Sequence, residues 1–193
     1  MSDTLEECER LGHEKRFVDG LTAALAGADT GAPPGRVAAL PADRVGGAPT
    51  VPHRPAAQED VAFVRCDRTA PTEATTAVAA RLAAVRIGVL RQLSEHVVDH
   101  LGGRLSGGEP ILRKQLVQAT VADGHTELEA ARRRLRVAAD VPAAVADLHD
   151  RLTALDWELA RLLGASGFLS DGGARASYVA RLAAHCWTPR RTS

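Results

Sequence analysis

The stretch PAAVADLHDRLTALDWELARLL, Pro142 to Leu163, decides the fold. Val145, Leu148, Leu152, Leu155, Leu159 and Leu162 recur at alternating steps of three and four, the seam of an α-helix packed nearly antiparallel to its neighbours. Working outward, helical periodicity continues on both sides, with breaks at Gly102 to Gly108, at Val141-Pro142 and at Gly164 to Gly173. The predicted helices span 74–101, carrying Val78, Leu82, Val85, Val89 and Leu93; 110–138, carrying Leu128, Ala131 and Leu135; 142–163; and 173–187. Four such helices joined by short breaks predict an antiparallel, up-and-down bundle.

Ahead of the bundle the composition changes. Residues 20–75 hold most of the prolines and many glycines, with two short extended candidates, Arg36 to Leu40 and Val61 to Cys66. The expectation is a mainly α protein. It comprises a loop-rich, poorly packed N-terminal segment (1–73) with one or two short β-strands, the bundle (74–188), and a tail (189–193).

Composition excludes several function classes. With 193 residues and 45% hydrophobic content, the chain can fill one domain core and carry an extension. Lys plus Arg and Asp plus Glu number 24 each, so no global positive field draws nucleic acid, and 3% aromatics supply no base-stacking platform. No run approaches the roughly 18 apolar residues of a membrane span. The start MSDTLEECER is too acidic for a signal peptide, so a cytoplasmic location is expected. Cys8, Cys66 and Cys186 form no C-x-x-C pair and are expected to be free thiols rather than disulfide or zinc partners.

The glycine-rich HLGGRLSGGEPILRKQ, His100 to Gln115, raises the question of a phosphate cradle. A nucleotidase of that kind needs G-x-x-x-x-G-K-[ST], and neither lysine of the chain, Lys15 or Lys114, sits in such a setting. A turn between helices is the simpler reading, with Gly102 or Gly103 ending one and Pro110 opening the next. In SEHVVDH, His96 and His100 share a helix face with Asp99 beside it, and His125 could approach from the next helix. Such a set could bind a metal or move protons, but a helix terminus favouring positive charge accounts for the same histidines, and no Glu-x-x-His pair supports a metal centre. Arg132, Arg133, Arg134 and Arg136 form a basic run at a helix end, the ordinary complement to the macrodipole. Ser166 lies in G-A-S-G after a helix, which is not a nucleophile elbow.

GEPILRKQLVQATVADGHTELEAAR, then LLGASGFLSDGG, then YVARLAAHCW resemble the C-terminal helical domain of acyl-CoA dehydrogenases over about residues 74–188. Arg104, Gly108, Pro110, Ile111, Gln115, Gln118, Ala122 and Asp123 match that family's R-x-Q-F-G-x-P-[LI] turn and the Q-x-x-Q and A-D of its following helix. Leu162, Gly164, Gly167 and Phe168 echo its Q-L-H-G-G-x-G-Y stretch, and VAFVRC resembles the end of its middle β-domain. The family's N-terminal helical domain has no counterpart. The resemblance implies oligomers built through this domain and a turn whose arginine and aromatic ring contact the flavin dinucleotide (FAD) of a neighbouring subunit. Here Arg104 remains, Ser106 replaces the glutamine, Gly107 the phenylalanine, Arg161 a second glutamine, and Leu163-Gly164 a His-Gly pair. The catalytic glutamate of the family falls on Thr188, between Trp187 and Pro189, and its alternative position falls on Val78; threonine cannot remove an α-proton from a thioester.

Two function classes follow as expectations. One is a partner subunit that binds no FAD alone, completes a shared flavin site through Arg104 at most, and packs on itself or on a full-length acyl-CoA dehydrogenase-like subunit handling acyl thioesters. The other is a flavin-independent cyclase, dehydratase or isomerase using His96, Asp99, His100, Asp123 or His125.

Overall fold

The structure, a computed structural model, describes residues 2–168 and 173–188; the expected tail and Pro189 lie outside them, as do the side chains of Ser166 and Phe168. Its longest element is α4, Thr72–Gly102. Val78, Leu82, Val85, Val89 and Leu93 are all buried, and so are Ala79, Ala83, Ile87, Leu90 and Val97 on its other faces. A helix apolar on nearly every side must be enclosed. Enclosure comes from α5 (Gln115–Ala138), α6 (Pro142–Leu162) and α7 (Arg175–Trp187), each packed against α4, which completes the expected bundle. The α6 seam faces inward, with Val145, Leu148, Leu152, Leu155 and Leu159 buried and Leu162 half-buried. Leu128, Ala131 and Leu135 of α5 are buried too. Among the described residues no helix is long and apolar enough to cross a membrane.

The N-terminal third departs from the expectation of loose packing. Two helices, α1 (Ser2–Glu14) and α2 (Phe17–Ala24), lie against α4 and bury Leu5, Cys8, Phe17, Leu21 and Ala24. Helix α1 escaped recognition because its inward stripe, Leu5, Cys8 and Gly12, carries one large apolar side chain. Small residues are what the site demands. A Cβ on Gly88 would stand 2.1 Å from the Glu9 carbonyl oxygen, and one on Gly12 would stand 2.3 Å from that of Val85, so the backbones of α1 and α4 touch. Glu9 then clasps three helices, accepting from Arg91 Nη1 of α4 at 3.2 Å and from Arg132 Nε of α5 at 3.0 Å.

After α2 come β1 (Val37–Pro41), β2 (Thr50–Val51), α3 (Arg54–Gln58) and β3 (Val61–Arg65). The expected strand candidates correspond to β1 and β3, and the unread β2 makes a third strand in an antiparallel sheet ordered β1-β3-β2, with Ala39 opposite Phe63 and Thr50 opposite Val64. The sheet is fixed to the bundle where the buried Trp187, closing α7, donates from Nε1 to the Ala39 carbonyl at 3.1 Å.

A polar knot lies inside the bundle. Arg86, 2% exposed, donates from Nη1 to the His149 carbonyl at 3.0 Å and to His149 Nδ1 at 3.1 Å, and from Nη2 to Thr153 Oγ1 at 3.1 Å. With Nδ1 accepting, His149 Nε2 carries the hydrogen and donates to the Ala79 carbonyl at 3.0 Å. Burial, then the Arg86 charge, pushes the His149 pKa down from 6.5 to about 3, so the ring is neutral. Arg86 falls to about 10 through burial and stays cationic. Nearby, Asp156 and Arg181 pair at 3.1 Å, and Arg181 lies 4.5 Å from the Trp157 ring centroid.

Two measurements check this packing. Gly88→Ala should destabilise the protein by at least about 2 kcal/mol in urea unfolding, because the added methyl meets helix backbone rather than a movable side chain. The unfolded imidazole takes up a proton below its 6.5 value while buried His149 resists to about 3, so acid favours the unfolded state across that window. Stability should therefore fall by up to about 1.4 kcal/mol per unit between pH 6 and 5, above the carboxylate range. His149→Gln should remove most of that slope.

Candidate functional site: a cavity between sheet and bundle

A cavity of about 600 Å3 opens where the sheet meets the ends of α4 and α7. Pro34 to Val37 lead into β1 along one wall; His53 and Phe63 come from the α3 and β3 region; Ala70 to Thr72 bring the start of α4; and Leu182, His185, Cys186 and Thr188 bring the end of α7. His53 is held on three sides. Its Nδ1 accepts from the Ala56 backbone N–H at 3.2 Å and so caps α3, its ring stacks on Tyr178 at 5.8 Å, and it meets Phe63 edge-on at 5.3 Å. Nε2 therefore carries the hydrogen and points at Tyr178 Oη, 3.4 Å away.

Thr188, the position to which the family resemblance assigns the catalytic glutamate, lines this cavity, and its Oγ1 is buried with no hydrogen-bond partner among the described residues. Val78, the alternative base position, is 3% exposed in the bundle core and lies off the cavity. Burial pushes the Cys186 thiol up to about 12, which keeps it protonated at neutral pH. Burial, then the charges of Arg86 and Arg181, hold the His185 pKa below its ordinary value.

The other sequence candidates sit elsewhere. His96 and His100 come together on α4 with ring centroids 6.2 Å apart, and His100 Nε2 is 3.2 Å from Arg104 Nη1. Asp99, His125 and Asp123 are exposed, and Asp123 lines a shallow outer groove between α5 and α6. Among the described residues no group of three or more His, Cys, Asp or Glu could hold a metal. In the basic run, Arg132 pairs with Glu9 and Glu129, Arg134 with Glu127 and Arg136 with Glu6, and Arg133, Arg134 and Arg136 are exposed.

The glycine-rich turn is a small hairpin, not a plain helix break. Strands β4 (Leu105–Ser106) and β5 (Glu109–Pro110) pair antiparallel across Gly107 and Gly108, with φ of 69° and 89°. Two left-handed residues in a two-residue loop are what glycine allows. Arg104 and Leu105 are exposed, Lys114 Nζ donates to Ser106 Oγ at 2.8 Å, and Arg161 pairs with Glu158 at 2.9 Å. Of the cavity residues, Thr188 is legible through the family resemblance, and its companions His53 and His185 carry no sequence signal. His53 is a lone histidine between prolines, and nothing local joins it to Thr188.

Residues 80–167 match the model of the family described as acyl-CoA dehydrogenase, C-terminal domain. Among solved structures, butyryl-CoA dehydrogenase from Megasphaera elsdenii superposes with a TM-score of 0.59 at 14% identity, covering 80% of this chain and 45% of that one. A variant of the Tcur3481-Tcur3483 steroid acyl-CoA dehydrogenase gives 0.55 at 24% identity, covering 69% and 42%. PigA with FAD and proline gives 0.56 at 16%, covering 74% and 46%. No curated protein matches. The chain thus carries an acyl-CoA dehydrogenase-like C-terminal helical domain, and it spans less than half the length of the solved structures it resembles.

Restoring the aromatic of the family at the hairpin, Gly107→Phe, should cost roughly 1–2 kcal/mol, because a side chain there is forced into left-handed backbone. Thermal unfolding of the two proteins measures it.

Proposed function

We propose that the chain is a cytoplasmic, non-catalytic partner of acyl-CoA dehydrogenase type. It packs through its bundle against a full-length acyl-CoA dehydrogenase-like subunit, or a second copy, in acyl-thioester oxidation or specialised biosynthesis. The observation that carries the reading is Thr188. The base position of the resemblance lines the cavity, yet it offers a hydroxyl, and no carboxylate lines that cavity among the described residues. The carboxylate that takes the α-proton in the family thus has no counterpart in that lining.

The flavin side of the family's chemistry is weakened as well. An adenine platform needs a planar side chain at the turn, and Gly107 offers none, in a backbone conformation that resists one. Ser106 is engaged with Lys114, and Arg161 with Glu158. Arg104 is exposed, and in this reading it meets the phosphate of a flavin seated in a partner. The residues present therefore do not fit a flavin held by this chain alone, and no step through it is derived. Contact surface is available. Leu105, next to Arg104, is 68% exposed, and Leu116, at the start of α5, is 83% exposed. Burying such residues is worth on the order of 2 kcal/mol each. The apolar face of α4 is not part of this surface, because α1 and α2 cover it.

The competing reading, a flavin-independent enzyme, draws on the His96 and His100 pair at 6.2 Å; Asp123 and His125 are exposed on α5.

Incubated with excess FAD and freed of unbound cofactor, the purified chain should show no flavin absorption band. It should not turn over butyryl- to palmitoyl-thioesters with an artificial electron acceptor, at least about 10²-fold below a base-bearing enzyme. Mixed with a full-length acyl-CoA dehydrogenase-like subunit, it should co-elute in size exclusion, and Leu116→Glu should weaken the assembly. Stoichiometric yellow protein active by itself, or a strict monomer in every mixture, would overturn the proposal.

A further inference from the structure

The cavity has a one-sided electrostatic character that the partner reading does not use. Arg36, His53 and His185 line it, and among its described lining residues there is no Asp or Glu. Arg36 has no carboxylate partner among the described residues. The first turn of the 31-residue α4 opens at Pro71 and Thr72, and no side chain caps it. A long helix starting there adds partial positive charge, offset in part by Glu73 in its first turn. Thr188 supplies a different kind of signal, since its hydroxyl oxygen is shielded from solvent and lacks a hydrogen-bond partner among the described residues. Native proteins leave few such groups unsatisfied, and each one left over calls for an occupant. Between these polar groups the walls are apolar, through Phe63, Val37 and Leu182.

We propose that this cavity binds a small amphipathic anion, a carboxylate or phosphate monoester on a short aliphatic chain, with its head toward Arg36 and Thr188 and its tail along Phe63 and Leu182. Each observation removes an alternative. Cations have no counter-charge in the lining. A purely apolar ligand would leave Arg36 and the Thr188 hydroxyl without partners and so gain nothing from them. A volume of about 600 Å3 lies within the range of ordinary small-molecule sites, with room for a chain of several carbons. Arg36 is exposed, so it acts at the mouth, where a guanidinium can meet either head group in a bidentate fashion. The site concerns binding alone and stands whether or not the chain joins a dehydrogenase.

Isothermal titration of the whole chain at pH 7 and low salt tests it with four probes sharing one tail: octanoate, octyl phosphate, octanol and octylamine. One or both anions should saturate a single site at least about tenfold more tightly than octanol, with octylamine silent. The stronger anion tells a carboxylate site from a phosphate site. Arg36→Gln, a surface change that leaves the core intact, should weaken the anion at least tenfold and leave octanol unchanged. Thr188→Val, which keeps the shape, should weaken it by a smaller factor. Octanol binding as tightly as the anions, equal binding by octylamine, unchanged affinity in Arg36→Gln, or no saturation by either anion would each overturn the proposal.

Discussion

The contact between the backbones of α1 and α4 at Gly12, Val85 and Gly88 is the constraint on which the other packing rests. Bringing two helices to backbone contact removes side-chain volume between them, so α1 can cover α4 with a stripe that holds one leucine. It also sets the distance at which Glu9 can reach Arg91 and Arg132 together. That clasp is partly buried, with the Glu9 side chain 13% exposed, so it escapes much of the screening that makes open surface ion pairs nearly worthless.

A helix enclosed by five others has little room for polar groups, yet α4 carries Arg86 at its centre. The cost of burying that charge is met by two acceptors on α6, the His149 carbonyl and Thr153 Oγ1, by the neutral His149 ring, and by the field of Asp156. These bonds fix how α4 lies along α6, because a shift by one turn would strand the guanidinium. Apolar seams tolerate slippage, and a buried polar knot does not.

The bundle was legible because its helices bury heptad-like stripes, and the expected spans 74–101 and 142–163 fall within a few residues of α4 and α6. The expected start of the second helix at 110 precedes the true start at Gln115, since the hairpin and a 3₁₀ turn over Ile111–Arg113 take up the interval. Periodicity could not reveal α1, whose packing depends on the absence of side chains. Nor could it reveal the cavity. His53, Phe63 and Thr188 meet only because the β1-β3-β2 order carries α3 back beside α7, an arrangement with no local signature. Of the candidate residues, His96 and His100 lie near each other on α4, as helical spacing predicts, whereas the approach of Arg104 to His100 follows from the hairpin turn and has no such signal.

The arginine run at the end of α5 takes on a different meaning once α1 is in place. Glu6 and Glu9 of α1 lie against Arg136 and Arg132, so the first helix acts as a resident acidic ligand on a basic strip of the bundle. A chain clipped between α1 and α2 would uncover that strip and the apolar face of α4 together. The equal count of acidic and basic residues is thus a local arrangement as well as a global one: the N-terminal helix neutralises, within one molecule, a surface that would otherwise attract acidic proteins.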